Sequence, residues 1–333
     1  NCRLNGRSRE ERYQSNRLKE KFWDYAKEKA PNVFSFNENT EEVVEFINNL
    51  ENHFEKKKKV YVDIESVNQI DFGAILSLLS IMVRFKAHGI AFNGNFPKQE
   101  GPSRLLRNSG FFKHLHNENI HEQDRYLLTN GGKNEIVTHA WKNVDARLSA
   151  EVISNATKTV WGGSRRCQGV QRALLELMQN TNNHASEYRK GEQHWWLHVS
   201  HDEVEKKVYF AFVDFGIGVF RSLETKEADS KWFGWFEKIS NKISLKSDEK
   251  LLEMIMSGEF HQTVTGKYYR GKGLPGIAEV AKRNQISNLR IVTNHASANV
   301  SDAIYAKLKS SFNGVYVFWE LNNECECTAS NDV

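Results

Sequence analysis

Proline is scarce in this chain, 4 residues in 333, so no proline-rich linker marks where one unit stops and the next starts. No apolar run reaches the about 20 residues that a bilayer-spanning helix needs, and a membrane partner is not expected. Charge of one sign is missing too: 46 Lys and Arg face 42 Asp and Glu, a formal net charge of +4. That balance gives no electrostatic footprint for nucleic acid, and the run Lys56-Lys57-Lys58-Lys59 reads as a solvated helix end. The 4 cysteines, Cys2, Cys167, Cys325 and Cys327, show neither a disulfide framework nor zinc-ligand spacing. With an opening, NCRLNGRSREERY, that lacks the apolar core of a signal peptide, they lead to the expectation of a reducing, cytoplasmic setting.

Polarity and pattern divide the chain instead. Residues 1–30 are very polar with Phe22, Trp23 and Tyr25 scattered among them, and read as a helical arm. Residues 31–125 alternate helix and strand. ENTEEVVEFINNLENHF has apolar residues at helical spacing, and VYVDIESV alternates like a strand. DFGAILSLLSIMVRFKAHG predicts a strongly apolar helix ending at Gly89. IAFNGNF predicts a further strand and SRLLRNSGFFKHL a further helix, giving a small α/β layer. His114, His116 and His121 read as solvated loop residues.

Residues 61–115 resemble a STAS domain, the fold of anti-sigma-factor antagonists. The resemblance rests on the turn Ile70-Asp71-Phe72-Gly73-Ala74, the apolar helix after it and the closing Leu105-Leu106-Arg107-Asn108-Ser109-Gly110-Phe111. Gly73 stands where that family carries its phosphorylatable serine. Having no hydroxyl it accepts no phosphate, so the resemblance implies a docking or scaffolding unit.

Residues 126–333 form the second expected unit. DARLSAEVISNATKTV and RCQGVQRALLELMQNTNNHA read as helices, HWWLHVS and KKVYFAFVDF as a hairpin. Residues 220–269 are expected to be partly helical (KWFGWFEKI, LLEMIMSGEF), followed by the helix GIAEVAKRN and the strands LRIVTN and GVYVFWEL. Helices first and a meander of strands after them suggest an α/β sandwich.

Three motifs in this unit carry chemistry. Stepping 100° per residue from Val170, Leu174, Leu177, Met178 and Thr181 gather with it on one side, and Glu176, Asn180, Asn183 and His184 on another. A carboxylate in such a row can polarise a water, and an amide oxygen can hold Mg²⁺; an ordinary amphipathic helix shows the same pattern. Next, Asp214-Phe215-Gly216-Ile217-Gly218 follows the apolar strand VYFAFV. The Asp can accept from an exocyclic amine and the glycines let backbone approach a flat ring, although a plain strand-ending turn has this composition too. Last, Gly271-Lys272-Gly273-Leu274-Pro275-Gly276-Ile277 opens a helix beside Lys267 and Arg270. Backbone N–H groups at a helix start attract anions; a flexible loop is the simpler alternative. His194, His198 and His201 are close in sequence, but His201 points away from the other two on a strand.

In order, these motifs resemble the N, G1 and G2 boxes of GHKL ATPases, the group of gyrase, Hsp90, mismatch-repair ATPases and histidine kinases. The resemblance covers residues 146–321 and implies a two-domain α/β chain, STAS-like then GHKL (Bergerat) sandwich, binding ATP and Mg²⁺. It implies Glu176 as general base, Asn180 as the Mg²⁺ ligand, and Asn183 and His184 near phosphates or ribose. Asp214 would hold the adenine amine in a pocket shaped by Gly216 and Gly218. Lys267, Arg270, Gly271, Lys272, Gly273 and Leu274 would close on the phosphates, with residues 220–269 as lid. Two departures stand out: Gly314 is followed by Val315 where many members carry a threonine, and the lid is long. Glu176, where histidine kinases of this fold typically have Asn, implies hydrolysis. The expected protein is an ATP-driven switch that governs docking of a protein partner or a second copy. The alternative is a serine/threonine kinase of the anti-sigma-factor type acting on a separate STAS-like protein.

Overall fold

A computed structural model describes residues 23–116, 134–140, 146–184, 194–216, 218–220, 247–257 and 274–327. Its first part runs β1 (Ala26–Lys29), β2 (Val33–Phe34), α1 (Thr40–Glu55), β3 (Val60–Asp63), β4 (Gln69–Ile70), α2 (Phe72–Ala87), β5 (Phe92–Gly94), α3 (Glu100–Asn108) and α4 (Phe111–His116). Strands β1, β3 and β5 form a parallel sheet, and β2 pairs with β4. Helix α1 carries Glu41 and Glu42 in its first turn, where they complement the helix dipole, and buries Val43, Phe46, Ile47 and Leu50. Helix α2 is capped by Asp71, whose carboxylate accepts from the Ala74 N–H at 2.8 Å and from the Ser35 hydroxyl at 2.7 Å. It stops before Gly89, which has a φ of +65°.

The expected helical arm over residues 1–30 needs correction at its end. AKEK favours helix by propensity, yet it is an edge strand, Ala26 paired with Val60 and Lys29 with Asp63. Parallel pairing with β3 overrides local preference, and the strand's lysines face outward, Lys27 reaching Asp63 at 2.9 Å. Residues 1–22 of that arm lie outside the described residues.

The second part holds β6 (Asn134–Ala140), α5 (Ala146–Trp161), α6 (Gln168–His184), β7 (His194–Asp202), β8 (Lys207–Asp214), α7 (Asp248–Ser257), α8 (Leu274–Lys282), β9 (Ser287–Asn299) and β10 (Ile304–Leu321). The strands make one antiparallel sheet in the order β6-β7-β8-β10-β9. β6 was not expected from its polar surroundings, and β9 and β10 run well beyond LRIVTN and GVYVFWEL. In the β7–β8 turn the Asp202 carboxylate accepts from the Val204 and Glu205 N–H groups, and Lys206 takes a φ of +54°.

Both faces of this sheet are buried. Trp195, Leu197, Phe210, Phe212, Val317 and Trp319 belong to one core with α5, α6, α7 and α8. Trp196, Ala211, Val213, Val292 and Tyr316 belong to a second core with α1 and α2 of the first part. Two-sided burial is why WWL and FAFV are continuous apolar runs rather than alternating ones. The two expected domains are therefore joined through a common layer.

That junction is closely fitted. Gly73 lies against the Tyr316 ring so tightly that a Cβ there would sit 2.5 Å from it. Phe36 stacks on the same ring with centroids 4.6 Å apart, and the Tyr316 hydroxyl donates to the Asn37 side chain at 3.2 Å. Arg290 donates to the Asn37 carbonyl at 2.6 Å, and Asn313 to Glu51, which is itself paired with buried Arg84 at 3.0 Å. Phe72 stacks on buried His198 at 3.5 Å, and among the described residues neither ring nitrogen of His198 has a hydrogen-bond partner. His114, expected in solvent, is buried on α4 with its ring edge-on to Trp196.

The cysteines also depart from expectation. Cys167, just before α6, is disulfide-bonded to Cys327 in the C-terminal segment, across 160 residues of sequence. Cys325 is a free, buried thiol, pushed up in pKa by that burial. The inference of a reducing setting from the cysteines therefore lapses. No helix among the described residues is long and apolar enough to cross a membrane.

Two outcomes follow from the junction. Gly73→Ser should destabilise the protein by about 1–3 kcal/mol through overpacking, a cost that shrinks in a Tyr316→Leu background when both are followed by urea denaturation. Burial lowers the His198 pKa to about 3, so the fold favours the neutral ring and the unfolded chain binds the extra proton. Stabilisation from this source is complete above about pH 6.5 and drains away toward pH 3, at up to about 1.4 kcal/mol per pH unit. The denaturation midpoint should fall less between pH 7 and pH 4.5 in His198→Leu than in the wild type; equal falls would remove His198 from the account.

Candidate functional site

Glu176 stands in the middle of α6, on the helix that packs Val170, Leu174, Leu177 and Met178 into the sheet-side core. It is 7% exposed. A carboxylate so buried requires a compensating partner, and Arg172, one turn earlier and half exposed, supplies it with an Nε–Oε1 distance of 2.8 Å. Asn180, Asn183 and His184 occupy the last turns of the same helix; their side chains lie outside the described residues.

Asp214 is the final residue of β8, flanked in register by Trp195 on one side and Val315 on the other. The chain then passes buried Phe215, Gly216 and Gly218 to Phe220, which enters the same core as Leu177 and Met178. Gly218 has a φ of +76°, and a Cβ there would fall 2.4 Å from the Asn294 side chain. Gly314 on β10 is equally constrained, because its Cβ would sit 2.1 Å from the Asp214 carbonyl oxygen. Gly216 is different: among the described residues its Cβ would meet only Asp214 Oδ1 at 3.4 Å, an ordinary contact.

Leu274, the first residue of α8, is buried in that same core. Lys267, Arg270, Gly271, Lys272 and Gly273 lie outside the described residues. Of the expected lid, 248–257 forms α7, packed on β9 and α8. Helix α6, Phe220 beyond the Asp214 turn and Leu274 at the start of α8 thus contribute to one apolar core, while Phe215 belongs to the other.

Two polar residues that the motifs did not single out sit at this place. Thr293, fully buried on β9, donates from its hydroxyl to the Gly314 carbonyl at 2.9 Å and accepts from the Val219 N–H at 3.1 Å. Asn294, also buried, accepts from the Phe220 N–H at 2.9 Å and has a φ of +47°. The signal available in sequence was the pair Thr-Asn closing an apolar strand, Asn being one of the few side chains that tolerates such a backbone. The histidines on β7 separate as expected: His198 is held against Phe72, while Nδ1 of His201 is 2.8 Å from the Thr159 hydroxyl.

Comparisons with protein-family models, with curated proteins and with solved structures found no match.

The contrast among the glycines is directly testable. Gly314→Ala should cost about 1–3 kcal/mol of stability, whereas Gly216→Ala should stay within about 0.5 kcal/mol. Chemical denaturation of the two variants side by side reads the difference.

Proposed function

We propose that this chain binds ATP with Mg²⁺, hydrolyses it, and uses its nucleotide state to govern docking of a protein partner. The observation that supports this best is that α6, which carries Glu176, Phe220 beyond the Asp214 turn and Leu274 at the start of α8 contribute to one apolar core. Added to it is the order of the three motifs, which resembles that of GHKL ATPases.

The donor chemistry fits such a ligand. Glu176 and Asn180 are one helical turn apart and offer oxygen atoms, which a hard cation prefers. Asp214 closes a strand whose neighbour, Gly314, carries no side chain to crowd it. In this reading Mg²⁺, when bound beside Asn180, supplies charge neutralisation for the phosphates. Glu176 orients a water and takes its proton; Arg172 keeps its carboxylate in place until then. Asp214 accepts from the adenine amine, with Gly216 and Gly218 beside the ring. In the same reading Asn183, His184, Lys267, Arg270, Gly271, Lys272, Gly273 and Leu274 would line the phosphate side.

The kinase alternative has no substrate in the STAS-like turn of this chain. Gly73 lacks a hydroxyl and is covered by Tyr316, which leaves a separate protein as the only acceptor for that reading.

Incubation with γ-labelled ATP and Mg²⁺ tests the proposal. The wild type should release free phosphate; Glu176→Ala should keep binding and lose release by about 100-fold or more. Asp214→Asn should lose binding itself, because the negative charge goes and one of the two acceptor oxygens becomes an NH₂ donor. Absence of any nucleotide binding by the wild type defeats the proposal, and label appearing on an added partner protein moves it to the kinase reading.

A further inference from the structure

We infer that Thr293 and Asn294 are positioning residues that set base selectivity at the Asp214 end of the site, an inference that rests on Asp214 recognising the base. Neither residue belongs to the three motifs. Both are buried on β9 at a point where the ladder with β10 is irregular. There Asn294 pairs with Phe312 and Thr293 with Val315, so β9 advances one residue while β10 advances three. The two surplus residues are Asn313 and Gly314.

This bulge places one hydroxyl between two backbones. By donating to the Gly314 carbonyl and accepting from the Val219 N–H, Thr293 staples the strand beside Asp214 to the turn that follows Asp214. Gly314 in turn lies directly against the Asp214 carbonyl. Asn294 adds the second fixing point, holding the Phe220 N–H and filling the space beside Gly218. The next residue, His295, donates its N–H to Asp248 Oδ2 at 2.9 Å and fixes the start of α7. Three consecutive residues of β9 therefore tie down the segments on either side of Asp214 and the helix beyond.

The chemical consequence concerns selectivity. A carboxylate distinguishes an amine from a carbonyl on a purine only if its oxygen is held at hydrogen-bond distance and angle. Residues 214–220 have their regular ladder only as far as Asp214. Beyond it, the Val219 N–H donates to the Thr293 hydroxyl and the Phe220 N–H to the Asn294 side chain. Loosening them lets the Asp214 carboxylate wander, and the penalty falls on the base-specific contact rather than on the proton transfer at Glu176, which is carried by another element.

The test uses the full chain with ATP and GTP, measuring KM and kcat for phosphate release and the dissociation constant of each nucleotide. Thr293→Val keeps the side-chain shape and removes both bonds. It should raise KM for ATP about tenfold, the equivalent of one hydrogen bond, and shrink the ATP-over-GTP preference by the same factor. Turnover at saturating ATP should stay within about twofold of the wild type, and Thr293→Ser should restore selectivity. Asn294→Gly, which tolerates the positive φ and deletes the acceptor, is an independent second variant expected to act the same way. A merely structural role would lower thermal stability and the active fraction while leaving the ATP-to-GTP ratio unchanged; that result in both variants overturns the inference alone. A wild type that binds neither nucleotide overturns the functional proposal and this inference together.

Discussion

Covering both faces of one antiparallel sheet constrains nearly everything else in this protein. Each strand must present apolar groups upward and downward at once, which uses Trp195 and Trp196 as neighbours pointing to different cores. Each face must then be met by helices that fit it: α5, α6 and α8 on one side, α1 and α2 on the other. The large rings of Trp196, Phe312 and Tyr316 leave little freedom in how α2 approaches, and at Gly73 that approach leaves no room for a Cβ. Polar groups caught in this layer are matched in most cases, as with Glu51 and Arg84 or Asn37 and Tyr316. His198 is one that is not: among the described residues its ring nitrogens meet no hydrogen-bond partner, and burial keeps it neutral.

Such a layer lets the proposed site be built at its margin. Glu176 is carried on a helix whose other side is anchored in the core, so its position is fixed by packing and by Arg172. Asp214 is fixed differently, by being the last paired residue of a central strand. A rigid sheet delivers the one and a packed helix the other, the arrangement by which a scaffold holds reactive groups in constant relation. The nearby backbone is irregular, and it is there that buried hydroxyl and amide side chains take over from the ladder.

Much of this was readable from the residues. Helices α1, α2, α5 and α6 follow from apolar spacing, and the start and stop of α2 from Asp71 and Gly89. The β7–β8 hairpin follows from two apolar runs around a polar turn. What escaped notice depends on distant partners. AKEK becomes strand only because β3 lies beside it, and NEIVTHA only because β7 does. The bond between Cys167 and Cys327 joins positions whose spacing carries no pattern. His114 is called inside by Trp196, a residue 82 positions away in number and adjacent in space. Thr293 and Asn294 look like the end of a strand; their importance comes from a bulge that no local composition announces. The burial of α2 against the second sheet was hidden as well, since an all-round apolar helix says that it is covered but not by what.

The irregular ladder between β9 and β10 also protects the assignment of side chains to cores. Because β10 gains two residues relative to β9 between Phe312 and Val315, its alternation emerges in phase: Phe312 and Tyr316 share one side, while Val317, Trp319 and Leu321 share the other. Loss of a single residue there would invert the strand, sending Trp319 toward α2 and Tyr316 toward α6. At this point an even-numbered insertion thus leaves both faces of the strand with the company they have.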